Sequence, residues 1–396
     1  MNILVINAGS SSLKYQLIDM VDESVLAKGV CEKITQKGSG MTHVRGEEKF
    51  TFQKDMPDHK SALEFVLATL CSKEYGVIDS FEEIEAVGHR VVHGADDYKQ
   101  SVLVDDKVLE VCRKNRELAP LHMPANILCI EICKELLNKP QAAVFDTSFH
   151  QTMPEQAYRY AIPEQDYLDL RIRRYGFHGT SHKYVSEEAI RLMGRDNINI
   201  ITCHLGNGSS IAAIKEGKCV DTSMGFTPLE GLPMGTRCGD IDPALIEFIM
   251  QKRNITDTSY MCDVYLNKMC GMVGLAGISD FRDLEKARSG GDLKAKLALE
   301  LFAYRAKKYV GAYAAAMGGV DCIVMTGGIG ENSYHTRHRI LKDFEFLGIQ
   351  IDWALNQSIK GSIAKISADN SKATVYIIPT NEELVIASNA LALVNE

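Results

Sequence analysis

The stretch Ile3-Leu4-Val5-Ile6-Asn7-Ala8-Gly9-Ser10-Ser11-Ser12-Leu13-Lys14 decides how this chain is read. Its first four residues are apolar and mostly β-branched, which predicts a buried strand. The strand then breaks into a turn with one glycine, three hydroxyls and a lysine. Such a turn offers backbone N–H groups, side-chain O–H groups and one cation to a single point, the set that phosphate oxygens accept. A plain hairpin would use the same glycine and serines for the turn alone. Recurrence along the chain separates the two readings.

The pattern restarts in the second half. Residues 198–203 predict a strand, and His204-Leu205-Gly206-Asn207-Gly208-Ser209-Ser210 is its turn. Residues 211–214 predict the return strand and 218–222 a third. Setting Asn7-Ala8-Gly9 over His204-Leu205-Gly206 aligns two strand–turn–strand units, so an internal duplication is expected. A third glycine-marked turn, Thr326-Gly327-Gly328-Ile329-Gly330-Glu331-Asn332, follows an apolar strand at 321–325. None of the three turns matches G-x-x-x-x-G-K-[ST] or G-x-G-x-x-G. Each nevertheless lets backbone approach a phosphate closely.

Between these turns, residues 25–34 and 41–52 carry β pattern. Leu63, Val66, Leu67 and Leu70 mark a helix over 61–73. Residues 85–92 form a short apolar strand that delivers Arg90 and His93-Gly94 to a loop. Helices are expected at 108–118 and 125–137, and a strand at 142–145 that ends in Asp146. Pro154 and Pro163 flank an irregular passage, the expected crossing to a second domain. Residues 294–317 predict a long helix, apolar round much of its girth and therefore buried, and Gly318-Gly319 ends it. Thr380 and Glu383 have capping-box spacing for a last helix reaching about residue 394. That spacing occupies Glu383 and leaves Glu382 without a structural task.

The chain has 396 residues, 45% hydrophobic and 24% charged, enough for two domains with their own cores. A net charge of −8 without a Lys/Arg block argues against nucleic acid as a partner, so affinity for anions must be local. No apolar run approaches the roughly 18 residues that would cross a membrane. The first residues lack a basic region followed by a long apolar core, so no signal peptide is expected. The 11 cysteines are scattered and form no C-x-x-C pair, which suggests reduced thiols in the cytoplasm. Cys129 and Cys133, four apart on an expected helix, read as small core residues ahead of a metal pair.

Two half-domains with matching strand–turn–strand units and a third glycine turn are the plan of the actin-like ATPase and sugar-kinase superfamily. Within it the motifs resemble those of acetate kinases, the acetokinase family. The matching segments begin with Asn7-x-Gly9-Ser10-Ser11-Ser12-x-Lys14 and Gly88-His89-Arg90-Val91-Val92-His93-Gly94. Phe145-Asp146-Thr147 and Tyr175-Gly176-Phe177-His178-Gly179-Thr180-Ser181-His182 follow. His204-x-Gly206-x-Gly208-x-Ser210, Met234-Gly235-Thr236-Arg237-Cys238-Gly239-Asp240, 327–332 and 380–383 complete the set. The resemblance runs through essentially the whole chain in one order.

The resemblance implies an α/β fold of two duplicated actin-like, ribonuclease H-like domains around a nucleotide cleft. The first would be 1–150, joined by a C-terminal helix at 382–396, and the second 151–381. It implies reversible transfer of the ATP γ-phosphoryl to acetate, giving acetyl phosphate and ADP, with Mg2+ or alternatively Mn2+. It also implies a cytoplasmic homodimer with no nucleic-acid or membrane partner. By similarity Arg90 holds acetate and the transferring phosphoryl, while Arg237 and His178 steady the transition state. Asp146 is catalytic in the family. Acetate needs no deprotonation, so orienting an arginine or the waters of magnesium stays open as its role. Asn7 and Glu382 would hold magnesium, although Glu382 could instead favour a helix dipole. Lys14 would face the ATP phosphates. The nucleotide site would comprise His204, Leu205, Gly206, Asn207, Gly208, Asp280, Phe281, Arg282, Gly328, Ile329, Gly330, Glu331 and Asn332. Val92, Leu121, Phe177 and Pro228 would close around the acetate methyl group.

Three other readings compete. A propionate or butyrate kinase would use the same chemistry with a wider pocket. A filament-forming ATPase would need no carboxylate clamp, which Arg90 and Arg237 argue against. A sugar kinase would need a carboxylate base beside a hydroxyl, a role that Asp146 keeps open.

Overall fold

The computed structural model describes residues 1–120 and 122–396. Leu121, expected in the acyl pocket, lies outside the described residues. The chain divides into two units, one of Met1–Phe149 with Asn381–Glu396 and one of His150–Thr380.

The first unit holds an eight-stranded sheet. Its strands are β1 (Asn2–Ala8), β2 (Ser12–Asp19), β3 (Ser24–Glu32), β4 (Gly40–Arg45), β5 (Glu48–Gln53), β6 (Ile84–Val91), β7 (Val102–Leu103) and β8 (Gln141–Phe145). They lie in the order β5-β4-β3-β2-β1-β6-β8-β7. β1 pairs antiparallel with β2 and parallel with β6, which is parallel to β8. The uninterrupted apolar run of β1 follows from this central place, because successive side chains alternate between two covered faces. Leu4 and Ile6 join a core built with the helices His59–Leu70 and Met123–Leu137. Ile3 and Val5 pack on the other face with Ile386, Ala387 and Ala390 of the C-terminal helix Glu382–Asn395. Cys129 and Cys133 are core residues, and burial pushes the Cys129 thiol up to about 12.

The second unit contains β9 (Asn199–Leu205), β10 (Ser209–Lys215), β11 (Lys218–Thr222), β12 (Cys322–Thr326), β13 (Ala364–Lys365) and β14 (Thr374–Ile377). Their order is β11-β10-β9-β12-β14-β13. β9 is antiparallel to β10 and parallel to β12, which is parallel to β14. The relations of β3-β2-β1-β6-β8 thus recur in β11-β10-β9-β12-β14. Both units have the ribonuclease H-like core, and the Asn7 and His204 turns occupy the same place in it. The duplication is visible in topology where sequence identity between the halves is slight.

Four local expectations change. The long helix, Leu293–Met317, buries one stripe that includes Ala298, Phe302, Ala306 and Val310. Leu293, Leu297 and Tyr304 stand in water, Tyr304 at 62% exposure, because only one face meets the sheet. The segment after β12 is a short helix, Gly327–Asn332, and not an open turn. Residues 108–118 split into a helix, Asp106–Lys114, and a 3-10 turn, Asn115–Leu118. The C-terminal helix is capped by Asn381, whose Oδ1 accepts from the Leu384 N–H at 3.2 Å. The Thr380 hydroxyl is engaged elsewhere, donating to Ser181 Oγ at 2.8 Å. No helix among the described residues is long and apolar enough to cross a membrane.

Candidate active site

Parallel pairing aligns the carboxyl ends of β1, β6 and β8 on one edge, where open α/β sheets carry their ligands. Asn7, Arg90 and Asp146 sit at those three ends. Arg90 Nε donates to Asp146 Oδ1 at 3.0 Å and Nη2 to Oδ2 at 2.5 Å, a two-point grip. Arg90 Nη1 donates to Asn7 Oδ1 at 3.2 Å. Asp146 is 1% exposed. Burial alone would lower the Arg90 pKa, but the charges of Asp146 and Glu382 outweigh it and the pKa is raised. Lys14 is exposed and faces Asn7 across the β1–β2 ladder.

Glu382 arrives on the first turn of the C-terminal helix. That helix packs closely because Gly88 of β6 has no side chain. A Cβ there would lie 2.6 Å from Ile386 Cγ2. Burial raises the Glu382 carboxyl to about 7; Arg90 and Lys14 pull it down while Asp146 and Glu383 push it up. A carboxylate in this state is short of positive charge. Glu382 and the Asn7 amide each offer oxygen, the donor type that suits a hard divalent cation. No group of three or more His, Cys, Asp or Glu among the described residues could hold a metal alone. Magnesium does not require one, since it commonly takes one or two carboxylates, water and substrate phosphate. The residues therefore fit magnesium.

Sequence reasoning passed over Asn126. It is 2% exposed, and its Nδ2 donates to Ala8 O at 2.8 Å while its Oδ1 accepts from Val92 N–H at 3.1 Å. This clamp ties the end of β1 to the residue after β6 and sets the buried Val92. A buried asparagine inside an apolar helix was the available signal.

In the second unit, His178 has φ +55°, left-handed for a non-glycine residue, at the start of the helix Gly179–Met193. Such strain clusters at functional sites. Its ring stacks on His204 at 4.3 Å between centroids. A Cβ built on Gly208 would meet His178 Nε2 at 3.5 Å and Arg237 Nη1 at 3.6 Å, so both face one small space above that glycine. Arg237 Nη1 donates to Pro228 O at 3.2 Å. Among the described residues Arg237 has no carboxylate partner, and burial lowers its pKa. Arg90 is neutralised within the chain, whereas Arg237 still needs an anion. Phe177, buried beside His178, interacts through its carbonyl with His150 Nε2 at 2.9 Å.

Beside this lies a cavity of about 720 Å³. Gly206, Asn207, Asp280, Phe281, Arg282, Gly328, Ile329 and Asn332 line it as expected residues. The cavity exists because Gly327, at φ +73°, lets its helix dock on the end of β9. A Cβ there would lie 2.7–3.0 Å from Leu205 backbone atoms. Asp280 caps the helix Phe281–Ser289 and pairs with Arg282, whose hydrogen bonds hold the Asp280 carboxyl down at about 2. Sequence reasoning missed Ser279, Glu285, Ser333, Tyr334, His335 and Lys360, which also line the cavity. None belongs to a glycine motif, so no local signal marked them.

Five expected nucleotide residues lie off the lining. Leu205 points into the core, as strand alternation requires. His204 turns to Ser181 Oγ at 2.8 Å. Gly208 sits under His178 and Arg237. Gly330 and Glu331 are held by the fully buried Arg337, whose Nη1 donates to both carbonyls at 2.9 Å. Glu331 Oε1 accepts from the Thr380 N–H at 3.2 Å.

The acetokinase family profile matches residues 2–388. The acetate kinase of Acetivibrio thermocellus is 52% identical over 401 residues, covering 100% of this chain and 99% of that protein. The crystal structure of Porphyromonas gingivalis acetate kinase superposes with a TM-score of 0.95 at 47% identity, covering 99% of both chains. A propionate kinase from Francisella tularensis superposes at 0.92 with 40% identity, again over 99% of both. Site geometry, duplicated topology and end-to-end similarity agree: the chain belongs to the acetokinase family.

Proposed function

We propose that this chain transfers the γ-phosphoryl of ATP reversibly to acetate, giving acetyl phosphate and ADP. One observation carries the reading. Both oxygens of Asp146 are engaged by Arg90. A hydroxyl acceptor would need that carboxylate as a base, whereas acetate is already an anion and needs a cation. This favours a carboxylate acceptor over a sugar.

Asp146 orients Arg90, and the remaining guanidinium N–H groups of Arg90 hydrogen-bond the acetate as it approaches the polyanionic nucleotide. Arg237 and His178 answer the charge that develops on the transferring phosphoryl. Lys14 faces the phosphates. Adenosine occupies the cavity beside Asp280, Phe281 and Arg282, with Gly206 and Gly328 allowing close backbone approach. Asn7 and Glu382 would hold magnesium, or manganese in its place, directly or through water, and the ion would neutralise charge on the phosphates.

Glu382 gives this reading a pH signature. Its carboxyl is raised to about 7, so below that pH a proton competes with the cation. Apparent Mg2+ affinity should weaken about fivefold between pH 7 and pH 6, as the ionised fraction falls from about a half to about a tenth. Glu382→Gln should bind Mg2+ weakly without that dependence. Mg2+ titration of the ATP-dependent rate at both pH values checks this.

Acid choice tests the pocket. Acetate should exceed propionate and butyrate in kcat/KM, by a margin limited to about 1–3 kcal/mol per methylene. Val92→Ala should shift preference toward propionate, and an unchanged ratio would remove position 92 from the acyl pocket. We also propose a homodimer. The helix Ala244–Arg253 buries none of its residues and leaves Leu245 and Phe248 exposed, which supports an apolar contact there. Sedimentation reads the oligomer directly. Eleven free cysteines support a reducing, cytoplasmic location.

A further inference from the structure

We propose that Thr202, His182 and Ser210 form a directed hydrogen-bond relay that fixes the proton of His178 on Nε2, making it a neutral donor to the phosphoryl group. The proposal rests on the reading of His178 as a group that touches the phosphoryl. Thr202 and Ser210 lie on one face of the β9–β10 pair, against which the helix Gly179–Met193 packs. His178 stands at the start of that helix and His182 one turn later.

Thr202 Oγ1 lies 2.6 Å from His182 Nδ1, His182 Nε2 lies 2.7 Å from Ser210 Oγ, and Ser210 Oγ lies 2.9 Å from His178 Nδ1. Thr202, His182 and Ser210 are each 0% exposed, so each hydrogen needs an acceptor inside the protein. Among the described residues the Thr202 hydroxyl has His182 Nδ1 as its partner, so it donates there. His182 is held neutral, because burial and the neighbouring His150 and His204 push its pKa well below the ordinary value. Its one proton is then on Nε2, and it donates to Ser210. The Ser210 hydroxyl passes its own hydrogen to His178 Nδ1. A neutral His178 therefore carries its proton on Nε2.

The reverse direction would strand the Thr202 hydrogen in the core. A doubly protonated His178 would set two N–H groups against Ser210 Oγ and strand the serine hydrogen. The consequence is chemical. The Nε2 edge faces the space above Gly208 that Arg237 Nη1 also faces. A bare Nε2 lone pair would repel a phosphoryl oxygen there, whereas N–H attracts it. Ser210, His182 and Thr202 act through His178 and are positioning residues.

Nitrogen-15 NMR of the histidine rings in the full-length protein tests this, with His178 assigned from the signal lost in His178→Asn. The expected result at pH 7.5 is a bare Nδ1 and a protonated Nε2 on His178. Ser210→Ala should place proton population on Nδ1 and lower kcat about 10- to 100-fold. KM for ATP and acetate should change less than about threefold, and Ser210→Thr should restore most of the rate. Thr202→Val, nearly isosteric, should mix the tautomers of His182 and His178 with a smaller loss of kcat. A wild-type His178 protonated on Nδ1, or on both nitrogens, would overturn the relay. So would a Ser210→Ala protein with wild-type kcat. The ring spectra need no acetate kinase activity, so failure of the relay and failure of the functional reading remain distinct.

Discussion

Arg237→Ala should lower kcat by about 10²- to 10³-fold and leave the KM for ATP within about threefold. The expectation follows from the company this arginine keeps. Its guanidinium makes contacts with the Pro228 carbonyl and the Met234 sulfur, and with no carboxylate among the described residues. Burial lowers its pKa, so part of its hydration is lost without an internal counter-charge. Negative charge that develops on a phosphoryl group during transfer would supply what is missing. An interaction made only at that stage changes kcat and leaves ground-state nucleotide binding nearly intact. Arg237→Lys should recover little, since an ammonium lacks the planar two-point geometry. Folding should be little affected, because the packing lost is offset by removing a sheltered cation that has no carboxylate partner among the described residues. Steady-state kinetics alongside thermal unfolding check both halves, and an unaltered kcat would refute the role.

Asp146→Ala should lower stability by about 3–5 kcal/mol and sharply raise the KM for acetate. Asp146 is 1% exposed and Arg90 has a side-chain exposure of 21%, so the pair is largely sheltered from solvent screening. Removing the carboxylate leaves a sheltered guanidinium with Asn7 Oδ1 as its remaining hydrogen-bond acceptor among the described residues. The cation then loses the grip that aims it. Asp146→Asn keeps the shape and one acceptor, so its stability loss should be smaller. Denaturant unfolding reads the first effect and acetate saturation the second. A base would behave differently: its loss would remove a limb of the kcat–pH profile and leave acetate KM nearly unchanged. That outcome would return the sugar-kinase mechanism to consideration.

The placement of these residues was partly legible in the sequence, and the division has a physical cause. An apolar strand followed by a glycine and hydroxyls is a local pattern, so the Asn7 and His204 turns could be read directly. Their repetition also exposed the duplicated topology. Asn7 and Arg90 are the penultimate residues of their strands and Asp146 follows one, and strand ends are predictable. Contacts that depend on distant segments were silent. Nothing near Gly88 announces that Ile386 must lie against it. Nothing near Glu285, Tyr334 or Lys360 says that they share a cavity with Asp280. The short helix Gly327–Asn332 read as a turn because its glycines disfavour helix. It is held by Arg337, a cation whose partners are carbonyl and amide oxygens rather than a carboxylate. The final cap was misplaced by one residue because Thr380 and Asn381 are both competent caps. Ser181 claims the Thr380 hydroxyl and Glu331 its backbone N–H, which leaves the task to Asn381.

Purified protein, Mg-ATP, acetate and hydroxylamine in one vessel give the most direct test of a carboxylate acceptor. Acetyl hydroxamate should accumulate in step with ADP, and both should vanish when acetate is left out. ADP released at the same rate with or without acetate, and no hydroxamate, would contradict the account.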